Sequence, residues 1–265
     1  MPAVVHAETT LGAGLPALVI GTGERPLPYL PGLSTSVGLP IGRERAMAVS
    51  GWEPLLDRFT IYRISRLPQP SGTSFARMAE QHALALEGLD PPVDLIGEST
   101  GGAIALHLAA ARPDLVKRLV LVITGATLSA NGRRLADRTH ANITAGRVRS
   151  AYRDMYGLGA TSALRRAVRG AIGWAIGPRL SPPPEDPTII LSELEAWRAF
   201  HGARIAPTVA CSTLVIGTQL DPVFMPSYAD DLASRIPQGK AVTIPGLGHA
   251  FPPTAIEEHI SPFLG

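Results

Sequence analysis

Cysteine is almost absent. A single residue, Cys211, stands in 265, so no internal disulfide can form and paired-cysteine metal sites are excluded. Charge imbalance is small as well. The 24 Lys and Arg against 22 Asp and Glu leave a formal +2, too little to argue for a nucleic-acid partner. No run approaches the roughly 18 consecutive apolar residues of a membrane span. The opening MPAVVHAETTLGAGLPALVIGTG has no basic segment ahead of its apolar stretches, so no signal peptide is expected and a cytoplasmic location is. Internal repeats are missing, and biased composition is confined to the proline cluster PRLSPPPEDP at 178–187. No group of potential metal ligands has a suitable spacing, so neither metal nor cofactor is expected.

What is present is the apolar content and modest charge of a globular chain, at a length that suits one α/β domain carrying an insertion. Short apolar runs at 17–20, 27–30, 60–65, 93–96 and 118–123 alternate with helical patterns at 73–88 and 100–111. Such alternation predicts a mostly parallel central sheet flanked by helices. From about 126 to 205 the β pattern stops and the text becomes helical and arginine-rich. It resumes with the strands STLVIG and KAVTIP and helical patterns at 227–235 and 253–261. The expected organisation is therefore a core of residues 1–125 and 206–265, with a helical insertion at 126–205.

One serine stands out. Ser99 lies in GESTGG, between the apolar VDLI and the helical GGAIALHLAAA. A serine hydroxyl is a weak nucleophile that needs a base, and the base needs an orienting acid. A sharp strand-to-helix turn with small flanking residues would expose it at the helix N-terminus, where developing negative charge is favoured. G-x-S-x-G alone is a weak signal; its strand-before, helix-after context strengthens it. Among seven histidines, His82 and His107 fall inside helical patterns and read as packing or surface residues. His140 and His201 fall in the insertion, and His259 in the terminal helix. His249 follows the strand KAVTI through the loop PGLG, at the carboxyl edge where sites in open α/β sheets lie. Asp221 likewise ends the run STLVIGTQL. Asp230 and Asp231, in a helical pattern, and Asp114, after the helix that follows Ser99, are weaker alternatives. Ser99, Asp221 and His249 occur in the order Ser, Asp, His.

Together the anchors PGLS at 31–34, GESTGG at 97–102, LVIGTQLDPVFMP at 214–226 and PGLGH at 245–249 make the chain resemble an α/β-hydrolase of the small serine-esterase type. The resemblance implies an α/β-hydrolase fold with a helical cap, a Ser99–His249–Asp221 triad and an acyl-enzyme intermediate. It also implies an oxyanion hole from the amides of Thr100 and Leu33. Three departures accompany it. Pro31-Gly32 stands where the family commonly has His-Gly. Prolines interrupt PLPYLP, so Pro28 is expected to mark a bulge or a shortened strand. Thr218 stands where a glycine is frequent, three residues before the acid.

The segment 131–179 holds ten arginines and two aspartates and neither lysine nor glutamate. The first reading is a solvated surface paired with the acidic stretch Glu185, Asp186, Glu193 and Glu195. The second is attraction of anionic substrates or of an anionic membrane face. Within it, SALRRAVRGAIGWAIG reads as an amphipathic lid helix, with Leu164, Val168, Ile172 and Trp174 either lining a substrate site or packing cap against core. A serine nucleophile supports acyl transfer on a small-molecule substrate: esters, thioesters, lactones, amides, or carbon–carbon cleavage beside a carbonyl. The leading expectation is a carboxylic-ester hydrolase. The alternatives are a ligand-binding protein of the same fold with little turnover, and a peripheral membrane lipase docked through its arginine-rich cap.

Overall fold

The computed structural model describes residues 6–33, 38–180, 182–183, 186–225, 227–252 and 254–265. Ser34, Glu185 and Pro226, named above, lie outside the described residues. Eight strands form one sheet: β1 (His6–Leu11), β2 (Leu15–Ile20), β3 (Arg25–Leu30), β4 (Phe59–Ile64), β5 (Val93–Glu98), β6 (Val116–Val122), β7 (Ser212–Thr218) and β8 (Gly239–Ile244). Their order is β1-β2-β4-β3-β5-β6-β7-β8. The pairs β1–β2 and β2–β4 are antiparallel, and every pair from β4 to β8 is parallel. The expected mostly parallel sheet is thus observed, with an antiparallel edge. Strand β1 escapes the apolar pattern because its HAETTL is nearly all exposed; an edge strand facing solvent carries no periodic apolar face.

Helices cover both faces. They are α1 (Gly42–Val49), α2 (Phe75–Glu87), α3 (Thr100–Ala111), α4 (Ala130–Thr144), α5 (Val148–Tyr156), α6 (Ala163–Leu180), α7 (Thr188–Ala199), the short α8 (Gly202–Ile205), α9 (Tyr228–Arg235) and the short α10 (Ser261–Leu264). The C-terminal helical pattern is realised as a π turn over Ile256–Ile260 running into α10. Two apolar cores result. One packs α2, α3 and α9 against the sheet; the other sets Trp52, Phe59, Ile256 and Leu264 against its opposite face. Between β6 and β7 the described residues contain helices and no strand, as the interrupted pattern predicts.

Strand β3 corrects the expectation for Pro28. It holds six residues without a bulge and pairs with β4 through five of them. Its ladder to β5 covers only Tyr29 and Leu30. Pro26 and Pro28 are two residues apart, so both missing N–H groups face the same neighbour. The loss falls on the β5 side and leaves the strand itself intact.

His82 on α2 is fully buried, and its Nδ1 lies 2.7 Å from the Met78 carbonyl. Among the described residues its Nε2 has no partner. Burial pushes its pKa down to about 4, assisted by the Arg66 charge and opposed by the Met78 bond. The unfolded chain therefore takes up this proton first. The associated stability is complete above about pH 6.5 and is lost as the pH falls towards 4, on the order of 3 kcal/mol. In denaturant titrations at about pH 7 and about pH 4.5, the wild type should lose roughly 2–3 kcal/mol more than His82→Leu. Parallel losses would show that another group carries the acid sensitivity.

Candidate active site

Strand β5 runs directly into α3 through Ser99, which adopts φ 47° and ψ −111°. A left-handed φ at a residue with a Cβ is strained, and it holds the side chain out of the turn. Small neighbours make the turn possible. A Cβ on Gly101 would sit 2.0 Å from the Leu30 carbonyl oxygen, and one on Gly97 would sit 2.7 Å from the Gly101 oxygen. The glycines flanking Ser99 thus allow α3 to start against β3.

The two other predicted residues arrive from the carboxyl ends of β7 and β8. Ser99 Oγ lies 3.0 Å from His249 Nε2, and His249 Nδ1 lies 2.8 Å from Asp221 Oδ2. The second carboxylate oxygen, Oδ1, accepts from the backbone N–H of Val223 at 2.7 Å and of Phe224 at 3.2 Å. The aspartate is therefore fixed by its own turn while it holds the imidazole. Thr218 ties the two loops together. Its hydroxyl donates to the Gly248 carbonyl at 2.9 Å, and its N–H donates to the Tyr228 hydroxyl at 3.1 Å. Burial and the Asp221 charge raise the Tyr228 pKa, keeping that phenol neutral. The other acids lie elsewhere: Asp231 pairs with Arg235 within α9, and Asp114 with Arg112.

Ser99 and His249 face a cavity with about 530 Å³ of empty space, its mouth included. Leu33 and Thr100 line it beside them. Its walls are largely apolar and come from α4 (Leu135, Ala136), the α5 end (Met155, Leu158) and α7 (Leu194, Trp197). Asp154 also lines it, its carboxylate held by Arg138 at 2.8 Å and by Asn142 and Arg153 at 3.4 Å. The Trp197 indole donates to the Thr100 hydroxyl at 3.2 Å.

The loop carrying Leu33 is held from behind by a residue that sequence reasoning missed. The Arg66 guanidinium donates to the carbonyls of Pro31 at 2.7 Å and Gly32 at 2.6 Å. It also forks onto Glu193 of α7, through Nε to Oε1 and through a second bond of 3.1 Å to Oε2. Both side chains are buried. Burial raises the Glu193 carboxyl pKa, and the Arg66 charge and hydrogen bond oppose it. On the other side of the loop, Gly32 lies close enough to Ser99 that a Cβ would meet the Ser99 Cβ at 3.4 Å. Signals for both residues were available. Arg66 is a cation two residues past the strand FTIYRI, at its carboxyl edge. Glu193 falls on the apolar face of α7 with Ile189, Ile190 and Trp197.

Two expectations are corrected. Leu164, Val168, Ile172 and Trp174 do not line the cavity; all four are exposed on α6, whose buried residues are Gly170, Gly173 and Gly177. Among the described residues, the arginines of 131–179 do not pair with Asp186, Glu193 or Glu195 either. Glu193 is taken by Arg66, Glu195 by His140, Ser71 and Gly72, and Asp186 by the Thr188 amide. Among the described residues, the arginines of that segment that form ion pairs are Arg138 and Arg153, both to Asp154, while its Asp137 pairs with Arg198.

An eight-stranded sheet with a strained serine at the β5–α3 junction, and a histidine and an acid on later strand ends, defines a hydrolase architecture. The chain belongs to the alpha/beta hydrolase family, whose model matches residues 30–258, and with it stands among the hydrolases. A curated relative, RutD of Klebsiella pneumoniae (strain 342), is 31% identical over 193 residues, 69% of each chain; its name assigns it provisionally to carbamate hydrolysis. Among solved structures, the enol-lactonase from Burkholderia xenovorans LB400 superimposes with a TM-score of 0.71 at 17% identity, over 97% of this chain and 98% of that one. A thermophilic esterase from Thermogutta terrifontis does so with a TM-score of 0.62 at 21% identity, over 98% and 96%. These two likenesses are of fold.

Proposed function

We propose that the protein is a serine hydrolase that cleaves a carboxylic ester or a related acyl compound through an acyl-enzyme. The observation that carries this reading is the continuous chain Ser99 Oγ–His249 Nε2–Asp221 at 3.0 and 2.8 Å, with the serine facing the cavity. Asp221 holds the Nδ1–H tautomer, which leaves the Nε2 lone pair towards Ser99. As Oγ attacks the carbonyl carbon, Nε2 takes its proton and then returns it to the leaving alcohol. Water repeats the sequence on the acyl-enzyme, releasing the acid and restoring Ser99. The amides of Thr100 and Leu33 are the proposed donors to the oxyanion. Residues 126–205 act as the cap on a core of 1–125 and 206–265, and their apolar wall favours an uncharged acyl group. The resemblance to RutD adds carbamates to the substrates worth testing, and the fold likeness to the enol-lactonase adds lactones.

A fluorophosphonate probe tests the reading. Labelling should map to Ser99, vanish in Ser99→Ala and weaken in His249→Ala. Hydrolysis of p-nitrophenyl esters, carbamates and lactones should disappear in the same variant. A folded protein that neither labels nor turns over any of these would be a binding protein of the same fold, and the proposal would fail.

A further inference from the structure

Helix α6 is built inside out. From Ala163 to Leu180 its buried residues are three glycines, and the rest is exposed apart from the half-buried Pro178. Gly173 and Gly177 face Tyr152 and Tyr156 of α5 so closely that a Cβ would come within 2.6 Å of the Tyr152 carbonyl oxygen or 2.5 Å of its ring. The large apolar residues point the other way. Leu164, Val168, Ile172, Ile176 and Leu180 recur at every fourth position and are 76, 52, 45, 39 and 40% exposed, with Trp174 at 49%. At 3.6 residues per turn each lies about 40° further round than the one before, so the row winds across the exposed side opposite the glycines. Arg165, Arg166, Arg169 and Arg179 accompany them without any acid on the helix. Arg149 of α5 stacks over Trp174 at 5.2 Å and donates to the carbonyls of Trp174 and Ala175.

We propose that α6 docks in the plane of an anionic lipid surface, its apolar stripe entering the acyl boundary and its arginines meeting the headgroups. Apolar stripe and unbalanced cations are the two components of interfacial binding, and an acidic lipid leaflet supplies the complement to both. A second copy of the chain would bring a helix of the same positive charge against this one. No described helix is long and apolar enough to cross a membrane, so α6 lies on the surface. Its partner α5 carries Asp154 and Met155 of the cavity wall, which places the docked helix one layer from the Ser99 site.

The test reads binding and needs no turnover, so it stands apart from the hydrolase reading. The full chain is floated with vesicles of phosphatidylcholine alone or mixed with phosphatidylglycerol. Trp52 and Trp197 are buried, so a blue shift in emission on binding reports Trp174. Co-flotation with the anionic vesicles, weakened by salt, and a blue shift absent from Trp174→Phe are expected. Replacing Arg165, Arg166 and Arg179 by glutamine should lower partitioning by roughly a hundredfold. Leu164→Gln/Val168→Gln/Ile172→Gln should abolish the shift while the far-ultraviolet circular dichroism stays that of the wild type. Absence of binding, equal binding to both vesicle types, or binding that both variants retain overturns the proposal. So does self-association that Ile172→Gln abolishes in a protein that ignores vesicles, since that assigns the stripe to a second copy.

Discussion

Asp221→Asn should lower kcat for ester hydrolysis by about 10⁴-fold with little change in KM or Tm. Asparagine retains an oxygen for the Val223 and Phe224 amides, which now bond to Oδ1, so the turn survives. The amide nitrogen then faces His249 Nδ1 in place of Oδ2. It demands an acceptor there, the ring proton moves to Nε2, and the lone pair that should receive the Ser99 proton is gone. Combining the change with Ser99→Ala should add almost nothing to the loss from Ser99→Ala alone, because the three residues act as a unit. Rates on p-nitrophenyl acetate, with thermal melts alongside, check both statements. An Asp221→Asn protein that keeps a tenth of wild-type kcat would remove Asp221 from the reaction.

The second large effect concerns stability and rate together. Arg66→Met leaves Glu193 buried without its cation and strips the Pro31 and Gly32 carbonyls of their donor. Breaking a buried pair on one side costs about 3–5 kcal/mol, and in a chain of this size Tm should fall by roughly 10 °C. Arg66→Met/Glu193→Met removes the stranded charge, so most of the stability should return. The loop carbonyls remain unheld in that double variant. If Arg66 positions Leu33 as an oxyanion donor, kcat should stay about 10²-fold low with KM little altered, the signature of a lost transition-state contact. Recovery of kcat together with Tm would reduce Arg66 to a purely structural residue.

Much of this site was legible because its parts obey local rules. Ser99 sits where a β run meets a helical run, and His249 and Asp221 each follow a later β run. Those run ends fall at the carboxyl edge of a parallel sheet wherever the sheet forms. The clamp behind the loop was harder to read, because Arg66 and Glu193 are 127 residues apart and neither a cation past a strand end nor an acid on an apolar helix face names its partner. Helix α6 shows a different limit. Its amphipathic pattern was readable, but which side faces inward was not. Apolar residues normally turn to the core; here Gly173 and Gly177 let the backbone approach Tyr152 and Tyr156, with Gly170 against Arg153, and that fit leaves the large side chains outside. The ten arginines were countable, yet Asp186, Glu193 and Glu195, expected to help neutralise them, are committed to Arg66, His140, Ser71 and backbone amides.

Helix α7 reaches both proposed oxyanion donors at once. Trp197 bonds the hydroxyl of Thr100, and Glu193, through Arg66, grips the loop that carries Leu33. The gap between the two donors is therefore gauged by a helix that belongs to neither strand end. Thermodynamic reciprocity gives this a consequence for inhibitors. A ligand of α7 that binds more tightly once an oxyanion is seated must, by the same factor, tighten the binding of the oxyanion. Transition-state analogues and α7-directed ligands should then titrate as cooperative partners rather than as independent ones.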